Sequence, residues 1–367
     1  MRRIAACSCL ALLTACGGSN PGASAEGPSV VNFANFADEI GPDTLAAFER
    51  ETGIEVNYDL YESNLMLESR LVVGSTGLDV VVPGSQFLAR QIQSGIYQKL
   101  DKNRLPNLRH IDPALLAKLE RYDPGNQYGI PYLWGTFGLV YNVDVVERIL
   151  GGPAPDSFAL LFDPAYASKL QQCGISVSDT PWTMIGMALL YLGKDPTSQS
   201  EADLEVAVDV LMRIRPYVID ISNAPIPSQL AEGQYCLAAA SAADARAGQD
   251  RARDAGLDTR LRYLIPKEGA LIWIDMLAVP VDAPNPENAH RLLDFLMRPQ
   301  VIADVTNHVY FANANLAATP LLRPEVRDDP AVYPTEEEMR RLHLPGMQTA
   351  EYTRLQNRAF AKFRSGQ

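Results

Sequence analysis

The chain is poor in the groups that carry covalent or metal chemistry. Its 367 residues include five cysteines, four histidines and three tryptophans. The histidines, His110, His290, His308 and His343, are dispersed with no ligand spacing between any two, and His290 falls on a helix expected at the surface. No GxSxG, HExxH, GxxxxGK[ST] or GxGxxG motif occurs, so serine hydrolases, zincins, P-loop enzymes and dinucleotide-binding enzymes lose their usual signatures. Gly74-Ser75-Thr76-Gly77 lacks the preceding glycine and the lysine of a phosphate loop and reads as a turn. Carboxylates are plentiful, yet nothing singles out an acid–base pair. The sequence therefore predicts a non-enzyme without cofactor or metal. Positive charge is scarce as well: 32 basic against 44 acidic side chains leave a formal charge of −12. Nucleic-acid binders rely on neutralising phosphate, so that class is excluded, whereas a cationic partner fits. No apolar run approaches the length of about 20 residues that a membrane helix needs.

The first residues carry a leader. Arg2 and Arg3 precede the short apolar run Ile4 to Leu13, the arrangement of a secretory signal over residues 1–15. It ends in Leu13-Thr14-Ala15-Cys16-Gly17, which resembles a bacterial lipobox and implies cleavage before Cys16 and lipid attachment to its sulfur. Residues 16–27, small and polar after the cysteine, form a flexible tether. The expectation is a periplasmic protein anchored to a bacterial membrane by lipid. Cleavage removes two arginines and no acid, taking the charge from −12 to −14. It also removes Cys7 and Cys9. With Cys16 acylated, Cys173 and Cys236 remain, either a disulfide or two separate buried thiols. A bridge would close a loop of some sixty residues, worth about 3–4 kcal/mol in chain entropy.

Beyond the tether, strand and helix patterns alternate. Val30 to Phe36 and Ile54 to Tyr58 read as strands, and Asp79 to Pro83 is a continuous apolar strand of the kind a doubly covered parallel sheet requires. Between them a helix carries Leu45 and Phe48 to a stop at Gly53, and another spans Leu65 to Val72. Ser85 is placed to cap a third, which ends at Gly95. A second unit of the same kind has strands at Gly138 to Asn142, Gly174 to Val177 and Cys236 to Ala240, with a helix at Met184 to Leu192. Leu271 to Pro280 is a strong strand, Pro286 to Met297 a helix with an Ala289, Leu292, Leu293 and Leu296 stripe, and Thr335 to Glu338 a capping box. The pattern predicts an α/β fold of two lobes with more than one crossover between them.

Several segments together resemble the periplasmic solute-binding proteins of polyamine ABC transporters, the putrescine-binding branch above all. They are Asn35 to Ile40 (NFADEI), ETGIEVNYDLYESN at 51–64, GSTGLDVVVPGSQFL at 74–88, GIPYLWGTFGLVYNVD at 129–144, YLGKDPTS at 191–198, IPKEGA at 265–270, HVYFANANLAATPL at 308–321 and EVRDDPAVYP at 325–334. They run in the family's order from residue 28 to the C-terminus. The resemblance implies a type II clamshell, with residues 28–134 and 255–304 in one lobe and 138–250 and 311–367 in the other. Hinges then fall near Tyr132 to Gly138 and Asp304 to Ala312. It implies a monomer that closes on putrescine or spermidine and presents itself to ABC permease subunits. The family also carries a cysteine pair where Cys173 and Cys236 stand.

The same resemblance suggests the site. Asp38, Asp244 and Asp275 match aspartates that family members use to hold ammonium groups. Asp275 interrupts an apolar strand, and a buried carboxylate there needs a partner, either a ligand ammonium or a structural arginine. Arg246 is a candidate partner for Asp244. Phe36 stands where the family has tryptophan, Trp273 where it has phenylalanine, and Phe311 where it has tyrosine. Such rings pack methylene chains and attract cations. Departures occur at Glu39, an added carboxylate; at Gly84, in place of a serine, with Ser85 displaced by one; at Trp182, near a family glutamate; and at Ser241, in place of a tryptophan. The length of the amine is left open, as are an amine-sensing lipoprotein and a secreted hydrolase as alternative functions.

Overall fold

The alternating run after Ser29 forms the first strand, Val30–Phe36 (β1), in a computed structural model that describes residues 29–37, 39–222 and 226–367. The leader, Cys16, the tether and Asp38 lie outside the described residues. A helix over Thr44–Thr52 buries Phe48 and stops at Gly53, whose φ of 70° is a left-handed position that glycine takes without a Cβ penalty. The remaining strands are Glu55–Tyr61 (β2), Val80–Val81 (β3), Gly129–Asn142 (β4), Ile175–Val177 (β5), Asp220–Ile221 (β6), Leu237–Ser241 (β7), Leu261–Leu264 (β8), Ala270–Ala278 (β9), Ala312–Asn313 (β10) and Leu342–His343 (β11).

Two parallel blocks flank an antiparallel centre. The main order is β2-β1-β3-β9-β4-β7-β5-β6, parallel within β2-β1-β3 and within β7-β5-β6, and antiparallel at β3–β9, β9–β4 and β4–β7. Each parallel block is the signature of β-α-β winding, since parallel neighbours need a crossover between them. The 14-residue β4 and the 9-residue β9 run through the centre and serve both blocks. Their pairing shifts register between Pro131 and Trp134, which places an irregularity at the crossover.

Two large cores follow from this division. Val31, Phe33, Phe48, Val80, Leu292 and Leu296 pack into one. Phe158, Met184, Leu189, Val210, Leu237 and Phe360 pack into the other. The architecture is a two-lobed α/β clamshell. The helix Pro286–Leu296 buries the predicted stripe of Ala289, Leu292, Leu293 and Leu296, and Thr335 and Glu338 form the predicted reciprocal cap. Cys173 and Cys236 are joined as a disulfide across 63 residues of sequence.

Two expectations are corrected. The cap of the helix Ser85–Gln93 is Gly84, and Ser85 is the fully buried first helical residue. The strand expected from Gly138 begins at Gly129, because pairing with β9 extends through the region assigned to the hinge. β8 pairs with Leu139 to Asn142 on the edge of β4 opposite β7, whereas β10 pairs with Leu133 and Trp134. Ala314, Ala318 and Leu322 consequently join the first core, and in the C-terminal part only the helix Ala350–Ser365 reaches the second core, through Tyr352, Phe360 and Phe363.

Candidate functional site

The strands deliver their carboxyl ends to a common cleft of about 990 Å³. Phe36 closes β1, Glu62 and Ser63 follow β2, Gly84 follows β3, Ser178 follows β5 and Ser241 closes β7, and all of them line the cleft. This is where open α/β sheets hold ligands. Glu39, Trp182, Asp244, Trp273, Asp275 and Phe311 line it as well. Of the residues expected from sequence, Asp38 lies outside the described residues. Ser85 is fully buried and does not line the cleft, its hydroxyl without a hydrogen-bond partner.

Asp275 lies within β9, 6% exposed, next to Glu39, also 6% exposed. Their carboxyl groups share a hydrogen bond, which requires a proton on one of them. Burial pushes the Asp275 carboxyl up to about 7, and the Glu39 hydrogen bond opposes that rise. The neighbour of Asp275 is thus a second acid rather than a structural arginine. Below them Tyr61 donates its hydroxyl proton to the Val82 carbonyl at 2.7 Å. Burial raises the phenol well above its usual value, and the charges of Glu39 and Asp275 raise it further. Glu39 is itself positioned through its backbone carbonyl, which accepts from the buried Tyr132 hydroxyl at 2.7 Å.

Gly84 has a steric reason. Its backbone bridges Asp275, and its N–H donates to Asn64 Oδ1 at 2.7 Å. A Cβ there would stand 3.2 Å from Asn64 Nδ2, a tight approach that pushes on the Asn64 amide, and at ordinary contact distance, 3.5 Å, from Asp275 Oδ1. Gly135 does the same for Trp273, its partner across β4 and β9. A Cβ on Gly135 would approach indole Cζ2 to 2.6 Å, so the ring lies flat over a position that only glycine leaves empty. Trp273 then meets Phe311 edge to face, with centroids 4.8 Å apart at 89°. Phe36 packs against Tyr61 at 4.7 Å, and Trp182 against Phe137 at 5.8 Å. Aromatic walls therefore stand on both sides of the buried acids.

Asp244 carries a structural duty. Its Oδ2 accepts from the Ser241 hydroxyl at 2.6 Å and the Ser241 N–H at 3.0 Å, while its own N–H donates to Ser241 Oγ, a complete capping box for the helix Ala242–Asp254. Arg246 turns to Asp250, at 3.0 Å, rather than to Asp244. Its guanidinium also lies 4.4 Å from the Tyr310 ring centroid. Tyr310 holds a φ of 59°, unusual for a residue with a side chain, and its hydroxyl accepts from Arg323 at 2.8 Å. Asn64, Gly135, Tyr310 and the Arg246–Asp250 pair were absent from the sequence-based site. Asn64 lay within the quoted ETGIEVNYDLYESN segment, whereas the role of Gly135 depends on strand register.

Fold and cleft define a two-lobed solute-binding protein. Residues 43–335 match the bacterial extracellular solute-binding proteins, and the chain belongs to that family. Among characterised relatives it is 43% identical to the putrescine-binding periplasmic protein SpuD of Pseudomonas aeruginosa, over 97% of this chain and 98% of that one. It is 42% identical to the putrescine-binding periplasmic protein PotF of Escherichia coli, over 90% of each. Its structure resembles the spermidine/putrescine ABC transporter substrate-binding protein PotD of Streptococcus pneumoniae with a TM-score of 0.79 at 25% identity, covering 92% of this chain and 99% of that one. These relatives are solute-binding transport proteins.

Proposed function

We propose that the chain is the binding component of an ABC import system and holds a linear cationic amine, putrescine or spermidine, between its lobes. The observation that carries this reading is the buried Asp275 carboxyl, paired with another acid and flanked by aromatic rings at the mouths of the parallel strands. An ammonium replaces the proton that the two acids otherwise share, and the rings of Trp273, Phe311 and Phe36 pack its methylene chain, each cation–ring contact contributing about 0.5–2 kcal/mol. Asp244 reaches the same cleft from the other lobe and serves a second ammonium, with Asp38 and Glu39 as further carboxylates. Gly84, Ser241 and Trp182 set the width of the slot, and Ser85 acts from behind it.

A ligand that touches both lobes stabilises their closed arrangement by its differential affinity for it. The crossovers near Tyr132 to Gly138 and Asp304 to Ala312 serve as hinges between lobes drawn from residues 28–134 and 138–250 and their C-terminal complements. The monomeric closed form then docks on the permease, with Cys16 lipidated as the membrane anchor. The reading is tested by calorimetric titration of the mature chain with putrescine, cadaverine, spermidine, spermine and agmatine. One-to-one binding of at least one amine is expected, and the absence of heat with all five would overturn it.

A further inference from the structure

Side chains of β9 alternate between two cavities. Leu271, Trp273 and Asp275 face the cleft, whereas Ile272 and Ile274 line a second cavity of about 570 Å³. Successive side chains of a strand point to opposite faces of the sheet. The second cavity therefore lies behind the cleft, across the strands that pass between the lobes. Its walls come from both sides: the helix Pro113–Leu119 and β10 from the first lobe, and Asp195 and Thr197 from the loop after the helix Pro181–Tyr191. Thr197 lines both cavities.

The floor is largely apolar. Trp134 and Tyr333 meet edge to face with centroids 6.2 Å apart, and the Trp134 indole N–H donates to the Asn313 carbonyl at 3.2 Å. A volume of this size falls within the range of about 300–1,000 Å³ typical of small-molecule sites. The rim carries two cations, Lys118 and Arg121, and two carboxylates, Asp112 and Asp195, and the two pairs are engaged differently. Lys118 and Arg121, three residues apart, are both exposed, and among the described residues neither makes an ion pair. The two acids on the rim are engaged by local turns. Asp112 accepts from the Ala114 N–H at 2.8 Å, and Asp195 accepts from the N–H and hydroxyl of Thr197, both at 2.8 Å. Burial holds the His343 imidazole below its ordinary value, so it adds no charge at neutral pH.

We infer that this rear cavity is a second ligand site that takes a small organic anion with an aromatic body. The ring lies against Ile272, Ile274 and Trp134, and the acid group meets Lys118 and Arg121. Such a ligand is opposite in charge to the amine of the cleft, so the two sites do not compete for one solute.

The probe is naphthalene-2-sulfonate, titrated calorimetrically into the mature chain. One-to-one binding is expected. Reversing both exposed cations, Lys118→Glu with Arg121→Glu, weakens it about tenfold, the scale of a few solvent-exposed charge interactions, while the circular dichroism melt stays at the wild-type temperature. Asp275→Asn, which alters the cleft only, leaves the sulfonate affinity unchanged. Absence of saturable binding would overturn the assignment. So would an affinity indifferent to the double reversal, or one altered by Asp275→Asn, which would put the probe in the cleft.

Discussion

Replacing Asp275 by asparagine should stabilise the empty protein and disable it. In the folded chain burial holds this carboxyl at about 7 against 3.8 for an unburied aspartate. At about 1.36 kcal/mol per unit, full ionisation in place costs about 4 kcal/mol. The sign follows from proton counting. Between pH 3.8 and about 7 the native state keeps a proton that the unfolded chain has released, so the unfolding free energy falls as pH rises through that window and is lowest above it. Glu39 shares a hydrogen bond with the same carboxyl, and its charge and that of Asp275 both oppose ionisation of the Tyr61 phenol. Wild-type melting without amine should therefore fall by several degrees between pH 5 and pH 8 from this group, and Asp275→Asn should flatten that slope. Amine binding runs the other way because the ammonium needs the ionised acid. With burial holding the carboxyl well above the usual aspartate range, the ionised fraction rises from pH 5.5 to pH 8, and putrescine affinity should rise with it. Melting curves and calorimetry at the two pH values check both halves. An Asp275→Asn protein that melts lower than wild type at pH 8, or that binds putrescine as tightly, would refute the reasoning.

Other substitutions separate packing from recognition. Gly135→Ala should push the Trp273 indole off its seat, given the 2.6 Å approach, and lower putrescine affinity about tenfold, the scale of a lost ring contact; Gly152→Ala, with nothing within 4 Å of its added Cβ, should leave the titration unchanged. Asp244→Ala should lower stability by about 1 kcal/mol through the lost cap and also weaken amine binding, read from melts and titrations on the same sample. Replacing Cys173 and Cys236 together by serine opens a loop of 63 residues and should cost about 4 kcal/mol on the chain-entropy account, measured by denaturant unfolding.

Much of the fold was written locally. The alternation in Val30–Phe36, the glycine stop at Gly53 and the helical stripe after Pro286 are decided by neighbours a few residues away, and the structure forms them where periodicity places them. The aromatic and acidic positions that meet in the cleft were legible through resemblance to a family, since no local pattern brings Phe36, Asp244 and Phe311 together. What escaped the sequence depends on distant partners. Gly135 reads as an ordinary strand glycine until its register with Trp273 is known. The segment around Ala314 to Val332 packs with the first lobe because β10 pairs with β4 more than 170 residues earlier in the chain, a contact that periodicity does not encode. Arg246 was expected near Asp244, but one helical turn places it against Asp250 instead, in the favourable i,i+4 arrangement.

The central claim is that the cleft holds a cationic amine on the buried acid of β9 between aromatic walls. A crystal structure of the mature chain grown with putrescine at pH 8 tests it most directly. The account predicts an ammonium nitrogen within hydrogen-bonding distance of Asp275, with the methylene chain against Trp273 and Phe311. An amine bound elsewhere on the molecule, or an Asp275 carboxyl that still shares its proton with Glu39 while putrescine occupies the cleft, would contradict it.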